Sequence, residues 1–293
     1  MIKTLLIAAK GVVMGAADVV PGVSGGTIAL LTGIYPRLID AISSINLNSI
    51  KLLLSGQFKV FWKAIDGQFI LPLLLGIASA FALLAHSIKH AIVYYPIATW
   101  SFFFGLIIAS AILIIQHIPN KKTIHYFWLV PGVILGLWIS SLTSIPFPNN
   151  QLAIFIAGMI AVCAMILPGI SGSFILLLLG MYQQLITAVA ERQWLTLLLF
   201  VTGAVIGLLL FSRVIKWVLD KYYRVTLFFL SGLMLGSLLK VWPWKIATQE
   251  ITQNILPVNY PNAQMPLAIN MMVTAMVIVF MVDYLGQRLN TSK

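Results

Sequence analysis

Two copies of a Pro-Gly-x-Ser-Gly string carry the groups in this chain that are best suited to bind a small anion. The first copy begins at Pro21 and the second begins at Pro168, 147 residues later (168 − 21). Glycine leaves backbone amides accessible, and proline ends or kinks the helix before it. A helix is expected to begin just after each Ser-Gly pair, near Gly26 and Ser173. Helix N-termini present unsatisfied amides and partial positive charge, so this pattern predicts a site for phosphate or carboxylate.

The similarity continues beyond these strings, so the chain consists of two related halves. At the offset of 147 the matched pairs include Ile28 and Ile175, Gly33 and Gly180, and Tyr35 and Tyr182. Further along, the offset falls to 127 (203 − 76), with the matched pairs Gly76 and Gly203, Lys89 and Lys216, and Gly105 and Gly232. The extra residues of the first half fall in 43–67, where an amphipathic segment lying on the membrane surface is expected, with an ordinary loop as the alternative.

The composition is that of a membrane protein. Hydrophobic residues make up 60% of the chain and charged residues only 9%, against roughly a quarter charged in soluble domains. Six apolar runs are near or above the roughly 17–25 residues that a spanning helix needs. They are 69–88, 92–115, 125–143, 195–219, 224–241 and 267–285. We therefore predict an all-α polytopic membrane protein in which residues 1–293 form a single membrane domain.

Each half is predicted to begin with a helical hairpin whose tip is the Pro-Gly-x-Ser-Gly string. The expected arms are 4–18 and 26–42 in the first half, and 152–166 and 172–190 in the second. An arm of about 15 residues reaches only about 22 Å, short of a hydrocarbon core of roughly 30 Å. Both hairpins are therefore interpreted as re-entrant. Since each half then holds three spans, the second repeat, 150–290, must be inverted relative to the first repeat, 1–145.

The basic residues support hairpins that return to their starting side. That topology places 14 of the 18 lysines and arginines on the side of the N-terminus and leaves Lys89, Arg192, Lys240 and Lys245 on the other. If each hairpin crossed once, the division would be 9 against 9. The bias predicts that both termini are cytoplasmic. Orientation and anionic lipid headgroups account for most of the net charge of +11, so no nucleic-acid partner is expected.

The duplicated tips have two interpretations. Their glycines could only allow close helix packing, as small residues do in membranes. A duplicated break inside inverted hairpins favours a binding site where the tips meet near the midplane. Asp18, which is matched by Met165, is either a proton or cation coupling residue or a cap for the broken helix ends.

Other charged residues near the first hairpin are given local roles. Arg37 and Asp40 lie three residues apart on the second arm and are expected to pair at the cytoplasmic edge. Arg37, together with Lys10 on the opposite arm, is also a candidate to receive a phosphate headgroup on its way to the cytoplasm. For Lys10, ordinary snorkelling to the interface is the preferred interpretation.

No enzyme class fits the residues present. The sequence has no Gly-rich phosphate loop ending in Lys-Ser/Thr, no paired histidines at metal spacing and no Gly-x-Ser-x-Gly turn. The single cysteine, Cys163, is expected to be a buried apolar residue, because one cysteine forms neither an internal disulfide nor a cysteine metal cluster. We predict a protein that is not an enzyme, without catalytic residues, metal or cofactor.

The string Met14-Gly15-Ala16-Ala17-Asp18-Val19-Val20-Pro21-Gly22-Val23-Ser24-Gly25-Gly26-Thr27, followed by Gly33-Ile34-Tyr35, resembles one bacterial and archaeal membrane family. This is the family of PopT-type polyprenyl-phosphate translocases, long labelled only as a domain of unknown function. The string from Leu167 to Gly172 is similar to that family's second motif, and the resemblance covers nearly the whole chain.

The resemblance implies that undecaprenyl phosphate, the lipid carrier of cell-wall peptidoglycan precursors, is returned from the outer to the inner leaflet of the bacterial cytoplasmic membrane. The site residues it implies are Asp18, Pro21, Gly22, Ser24, Gly25, Gly26, Thr27, Pro168, Gly169, Ser171, Gly172 and Ser173. Thr27 is matched by Phe174, so its hydroxyl is not duplicated. The expected partners are this lipid and the bilayer, and the sequence leaves open a homo-oligomer.

Two other classes of function remain open at this stage. An ion-coupled secondary transporter of a small water-soluble anion would need a fully enclosed site. A membrane assembly factor that transports nothing would need no polar tips. An opening from the site toward the lipid would distinguish a lipid translocase from a transporter of a soluble anion.

Overall fold

The computed structural model describes residues 2–20, 22–142, 147–148, 150–247 and 252–291, and these residues are predominantly helical. The α-helices are α1 Ile2–Asp18, α2 Gly25–Leu31, α3 Tyr35–Ser43, α4 Leu47–Leu54, α5 Phe58–Ala64, α6 Gly67–Tyr94, α7 Pro96–His117, α8 Thr123–Tyr126, α9 Leu129–Ser141, α10 Gln151–Ile166, α11 Gly172–Leu178, α12 Tyr182–Ala190, α13 Trp194–Gly236 and α14 Met265–Thr291. Two 3-10 segments, Ser237–Val241 and Pro257–Asn259, complete the helical part.

Long apolar helices confirm a polytopic membrane protein. Within the described residues, five helical stretches are long and apolar enough to cross a membrane: Gly67–Tyr94, Pro96–His117, Thr123–Ser141, Trp194–Val241 and Met265–Tyr284. The bent pair α11 and α12 makes a sixth if it is counted as one span. A short antiparallel sheet, β1 Lys245–Ala247 with β2 Thr252–Asn254, departs from the all-α prediction.

The spans predicted at 195–219 and 224–241 fall in α13 and in the 3-10 segment that follows it, and α13 bends sharply in its interior. Tyr222 has non-helical backbone angles (φ −131°, ψ 39°). The hydroxyl of Thr226 lies 3.4 Å from the carbonyl oxygen of Val218, eight residues earlier. In a straight helix those positions would be about 12 Å apart. The two parts of α13 are therefore separate structural segments joined by the bend.

The same bend occurs 127 residues earlier, between α6 and α7. Tyr95 has φ −130° and ψ 53°. The hydroxyl of Thr99 donates to the carbonyl of Ala91 at 3.0 Å, again across eight residues. Since Tyr95 and Thr99 are matched by Tyr222 and Thr226 in the second half, the repeated sequence produces a repeated turn.

The second arm of each hairpin is two helices, which corrects the continuous arms predicted at 26–42 and 172–190. The breaks fall at Gly33, with φ +71°, and at Gly180, with φ +66°. α11 and α12 are bent by 109° at the second break. Glycine ends a helix readily in this left-handed conformation, so the matched glycines of the repeat mark the two breaks.

Glycines fix how the first arm of each hairpin packs against the first long helix of its half. A Cβ added at Gly76 would collide with the carbonyl oxygen of Ala8, and one added at Gly203 would collide with that of Phe155. Ala8 and Phe155 are themselves 147 residues apart. The contact between α1 and α6 is therefore repeated between α10 and α13, because only glycine allows the two backbones to approach so closely.

The last long helix of each half packs against the other half. A Cβ added at Gly105 in α7 would collide with Met272 in α14, and one added at Gly232 in α13 would collide with Leu129 in α9. Gly105 and Gly232 are matched positions in the repeat. The last long helix of each half, α9 or α14, therefore packs against a matched glycine in the other half.

The extra segment of the first half forms the short helices α4 and α5. Its apolar side chains are exposed, among them Leu47, Leu54 and Phe58. An exposed apolar face on short helices rich in lysine fits the predicted location at the membrane surface.

Candidate functional site

The tips of the two hairpins touch each other through buried hydrogen bonds. The amide of Gly22 donates to the hydroxyl of Ser171 at 3.0 Å. In return, the amide of Gly169 donates to the hydroxyl of Thr27 at 3.1 Å. Each bond joins a tip amide of one half to a hydroxyl of the other, so two segments nearly 150 residues apart meet in one place.

Both tips have the same backbone geometry. Gly22 and Gly169 each have φ +88°, a conformation that other residues adopt only with strain. Ser24 and Ser171 are extended and cap the helices that follow. Those helices start at Gly25 and Gly172, one residue before the predicted starts. Pro168 is buried at the second tip, whereas Pro21 lies outside the described residues.

The serine hydroxyls already have partners within the protein. Ser24 accepts from the amide of Gly26 at 3.0 Å and donates to the carbonyl of Met165 at 3.0 Å. Both Ser24 and Thr27 are fully buried. Ser24 therefore caps its own helix and ties the first tip to the first arm of the second hairpin.

The second tip is similarly engaged. Besides the Gly22 amide, the Ser171 hydroxyl accepts from the amide of Phe174 at 3.2 Å and lies 3.3 Å from the hydroxyl of Ser173. Gly172, Ser173 and Phe174 are half-buried, in contrast to the buried stretch from Gly22 to Thr27. In this conformation several of the donors predicted for an anion are used in contacts within and between the tips.

Asp18 caps the second arm of its own hairpin. Its Oδ1 accepts from the amide of Gly25 at 2.6 Å, which joins the end of α1 to the start of α2. A Cβ at Gly25 would collide with this carboxylate, so the glycine is required for the contact. This geometry agrees with the interpretation of Asp18 as a cap for the broken helix ends.

The backbones of the two hairpins also pass very close to one another. A Cβ at Gly26 would lie 2.7 Å from the carbonyl oxygen of Ile166. At the other tip, a Cβ at Gly169 would lie 2.9 Å from the Cα of Met234 and from the hydroxyl of Ser237. The tip glycines therefore serve close packing as well as exposing amides.

The predicted pairing of Arg37 with Asp40 is wrong. Arg37 pairs instead with Asp66, with Nε–Oδ2 and Nη2–Oδ1 distances of 2.7 and 3.1 Å, and its guanidinium lies 4.4 Å from the ring centroid of Phe69. Asp40 pairs with Lys216 of α13. The ring of Phe69 directs Arg37 toward the start of α6, and packing of α3 against α13 brings Lys216 to Asp40.

Arg37 lines a cleft rather than the tips. The cleft has a volume of about 740 Å³ and its charged lining is of mixed sign: Arg37, Asp40, Asp66, Arg213, Lys216 and Asp220. None of the described tip residues lines it. The structure therefore separates Arg37 from the serines and glycines with which the sequence grouped it.

A second cavity, of about 420 Å³, lies beside the end of α2 and is largely apolar, with Lys10, His117 and Asp283 among its lining. The Lys10 ammonium donates to the carbonyl of Thr32 at 2.8 Å. Lys10 therefore ties the two arms of the first hairpin together, which the snorkelling interpretation did not anticipate.

Two lysines that sequence reasoning did not assign to the site lie beside the tips. The Cβ of Lys240 is 3.2 Å from where a Cβ of Gly22 would be, and its ammonium lies 4.0 Å from the ring centroid of Phe174. Lys245 donates to the carbonyl of Lys240 and lies 4.0 Å from the ring centroid of Trp100. Burial, and then the charge of Lys240, lower the pKa of Lys245 to about 8.

A sequence signal for these lysines exists but is weak. They are two of only four basic residues that the predicted topology places opposite the N-terminus, and they flank Trp242 and Trp244 directly after an apolar run. Nothing in that pattern relates them to Gly22 or Phe174, which are distant in the sequence.

Comparison with known proteins gives one family. Residues 14–256 match the model of a family described as undecaprenyl phosphate translocase-like. A polyprenyl-phosphate transporter of Vibrio cholerae serotype O1 is 49% identical over 236 residues, which cover 80% of this chain and 77% of that protein. A polyprenyl-phosphate transporter of Staphylococcus aureus is 33% identical over 253 residues, 80% of this chain and 84% of that protein. No solved structure matched the chain.

Proposed function

The chain belongs to the undecaprenyl phosphate translocase-like family, and from that premise we propose that it carries a polyprenyl phosphate across the bacterial cytoplasmic membrane. The proposed substrate is undecaprenyl phosphate and the proposed direction is from the outer to the inner leaflet, with both termini cytoplasmic. The observation that carries the proposal is the 49% identity with a polyprenyl-phosphate transporter over most of both chains.

The physical task is to move one charged group through an apolar layer. A long isoprenoid tail can stay in the lipid, whereas an ionised phosphate in hydrocarbon is very costly unless it is paired or hydrogen-bonded. The buried tips supply amides and hydroxyls inside a mainly apolar protein. We place the phosphate site at these tips, formed by Pro21, Gly22, Ser24, Gly25, Gly26, Thr27, Pro168, Gly169, Ser171, Gly172 and Ser173.

Contacts that exchange partners between the halves support two repeats that pack symmetrically, and we propose that these repeats are inverted and have re-entrant hairpins. Gly22 bonds to Ser171 while Gly169 bonds to Thr27, and the last long helices are exchanged in the same way. The donors Gly22 and Gly169 are matched positions of the repeat, whereas the acceptors Ser171 and Thr27 are not, so the tips meet in an arrangement that is only roughly two-fold. In transporters built from inverted repeats, substrate sites lie at broken helices where the repeats meet.

The bonds between the tips suggest how the site works. The amides of Gly22 and Gly169 donate to side-chain hydroxyls of the opposite tip. We propose that the phosphate replaces those hydroxyls as acceptor when the tips move apart. A phosphate oxygen is a charged acceptor and therefore forms stronger hydrogen bonds than a hydroxyl does. The state in which the tips have moved apart is thus favoured only when lipid is bound. Arg37 then receives the phosphate at the cytoplasmic cleft.

The test is a leaflet-exchange assay with purified protein in liposomes that contain labelled undecaprenyl phosphate. We expect exchange well above that of protein-free liposomes, and little protein-dependent exchange of undecaprenol, which has the same tail without the phosphate. Lipid exchange at the protein-free rate would contradict the proposal. Uptake of free inorganic phosphate without lipid exchange would favour the alternative, a secondary transporter of a small anion.

A further inference from the structure

Among the described residues, which do not include Glu250, no carboxylate pairs with the ammonium groups of Lys240 and Lys245. Lys245 donates to the backbone carbonyl of Lys240, and the charge of Lys240 acts on Lys245. The salt bridges among the described residues involve other lysines, arginines and histidines. Two like charges in a half-buried position raise the free energy of the folded protein unless an anion compensates them.

Aromatic rings hold each ammonium in place and leave N–H donors for a further partner. The ring of Phe174 supports Lys240 and the ring of Trp100 supports Lys245, both with a distance of 4.0 Å to the ring centroid. A cation over an aromatic face is attracted by the ring but donates no conventional hydrogen bond to it. An ammonium has three donors, so both lysines retain the capacity to bind an acceptor.

The segment that carries the lysines is held in a defined shape. The indole of Trp242 donates to the carbonyl of Ile255 at 2.8 Å, and that of Trp244 donates to the carbonyl of Ala263 at 2.8 Å. The side-chain amide of Asn254 donates to the carbonyl of Leu239 at 2.8 Å. β1 and β2 pair within the same loop. Binding at the lysines would therefore require little ordering of the chain.

Lys240 lies directly beside both tips, and Lys245 bonds to its backbone. Lys240 packs next to Gly22 of the first tip and over Phe174 of the second. An anion held between the lysines is thus adjacent to the amides proposed to receive the phosphate. The positive charge at this position comes from the two side chains and not from the helix ends at the tips.

We propose that Lys240 and Lys245 form a capture site for the phosphomonoester headgroup of the lipid, on the membrane face that carries residues 242–247 and 252–264. This inference rests on the proposed function and identifies where the headgroup first binds. A phosphomonoester carries close to two negative charges near neutral pH, which two ammonium groups can balance. The lipid then passes from the lysines to the tips.

Binding to protein in nanodiscs separates the contribution of the phosphate from that of the tail. Undecaprenyl phosphate and undecaprenol are titrated against the wild type, Lys240→Gln, Lys245→Gln and Lys240→Arg. Each glutamine variant is expected to bind undecaprenyl phosphate at least about tenfold more weakly, as for the loss of a charged hydrogen bond, and to bind undecaprenol as the wild type does. Lys240→Arg keeps the charge and should retain most of the affinity.

Lys89→Gln is the matched control, because Lys89 is an exposed lysine at the end of α6. Glutamine variants that bind undecaprenyl phosphate as tightly as Lys89→Gln does would overturn the capture site. Inorganic phosphate that displaces the lipid at similar concentration would overturn it as well, in favour of a site for free phosphate. If Lys245→Gln fails to fold, Lys240→Gln and Phe174→Leu, which removes the supporting ring, still test the proposal.

These outcomes are distinct from failure of the proposed function. Wild-type protein that binds the lipid at the lysines but does not exchange it between leaflets would contradict translocation and leave the capture site intact. Lipid exchange by the wild type, together with lysine variants that bind the lipid as tightly as the wild type, would support translocation and contradict the capture site.

Discussion

The hydroxyls of Ser24 and Ser171 each join parts of the protein that are distant in sequence. Ser24 bonds to the carbonyl of Met165, and Ser171 accepts from the amide of Gly22. Each also caps the helix that follows it. Each serine hydroxyl therefore stabilises the closed tips and is also proposed to bind the phosphate. Substitutions of these serines have to be tested for both stability and lipid binding.

We expect Ser24→Ala combined with Ser171→Ala to weaken binding of undecaprenyl phosphate more than about tenfold, since each lost hydrogen bond to a charged group costs about 1.5–3 kcal/mol. Loss of the caps should lower stability by about 0.5–2 kcal/mol per site. The control is Ser79→Ala, which removes a bond to the carbonyl of Gly76 within α6. Unchanged binding in a folded double variant would indicate that the tips only pack.

Substitution of Asp18 tests whether proton movement is coupled to lipid exchange. Asp18→Asn keeps an oxygen that can accept from the Gly25 amide but removes the ionisable group. If Asp18 couples transport to protons, exchange by the wild type should accelerate under an inward proton gradient, while Asp18→Asn binds lipid without a response to pH. The measurement is lipid exchange against pH in both proteins.

Asp18→Ala is the companion variant because it removes the cap itself, at an expected cost of about 0.5–2 kcal/mol in stability. A pH profile shared by the wild type and Asp18→Asn would leave capping as the role of this residue.

Lys245 gives a prediction for stability against pH. Its pKa in the folded protein is about 8, below its ordinary value of 10.5. Between those values the unfolded chain binds more protons at this site than the folded protein does, so stability should rise with pH from about 8 to 10.5. In lipid-free detergent, the unfolding temperature of the wild type minus that of Lys245→Met should increase over this range. A difference that stays constant with pH would contradict the lowered pKa.

At the scale of helices, matched glycines set the contact between each hairpin and its neighbour. Gly76 faces the backbone of Ala8, and Gly203 faces that of Phe155. Matched bends at Tyr95 and Tyr222 then redirect the chain after the long helix that carries each glycine. One repeated set of local features therefore builds both halves.

Gly76→Val and Gly203→Val should each destabilise the protein by about 1–3 kcal/mol, because the added side chain forces the packed backbones apart. Thermal unfolding in detergent measures the effect. Leu75→Val, on the exposed surface of α6, is the control and should change stability little. Valine variants as stable as Leu75→Val would mean that the backbones have room to move apart.

At the scale of the whole molecule, the distribution of basic residues predicts a membrane topology. The charge bias predicts that 45–67 and 118–123 lie in the cytoplasm and that 246–265 lies outside. Exposed positions suited to labelling are Leu54, Lys122 and Val258. They test the arrangement without disturbing the buried tips.

Single cysteines at these positions, in a Cys163→Ala background, should distinguish the two sides with a membrane-impermeant thiol reagent. Leu54→Cys and Lys122→Cys are expected to react only after the membrane is permeabilised, and Val258→Cys in intact cells. Background labelling is given by Cys163→Ala alone. Labelling of Leu54→Cys and Lys122→Cys from opposite sides would rule out the topology.

The sequence by itself determined the class of protein, its duplication and the location of the tips. Long apolar runs specify membrane helices because every backbone polar group must be satisfied within the apolar layer. The repeated glycines at Gly33 and Gly180 also marked the breaks in the second arms, although those arms were predicted as continuous helices. These features depend on residues close together in the chain, which is why pattern and spacing reveal them.

Only the tertiary structure decided which groups meet. It paired Arg37 with Asp66 instead of Asp40, closed the tips on each other and brought Lys240 to Gly22 and Phe174. These contacts join segments that are often more than 100 residues apart. Their geometry is set by how whole helices pack, through close backbone approach at glycines and the direction of each side chain, and local sequence patterns do not encode that packing.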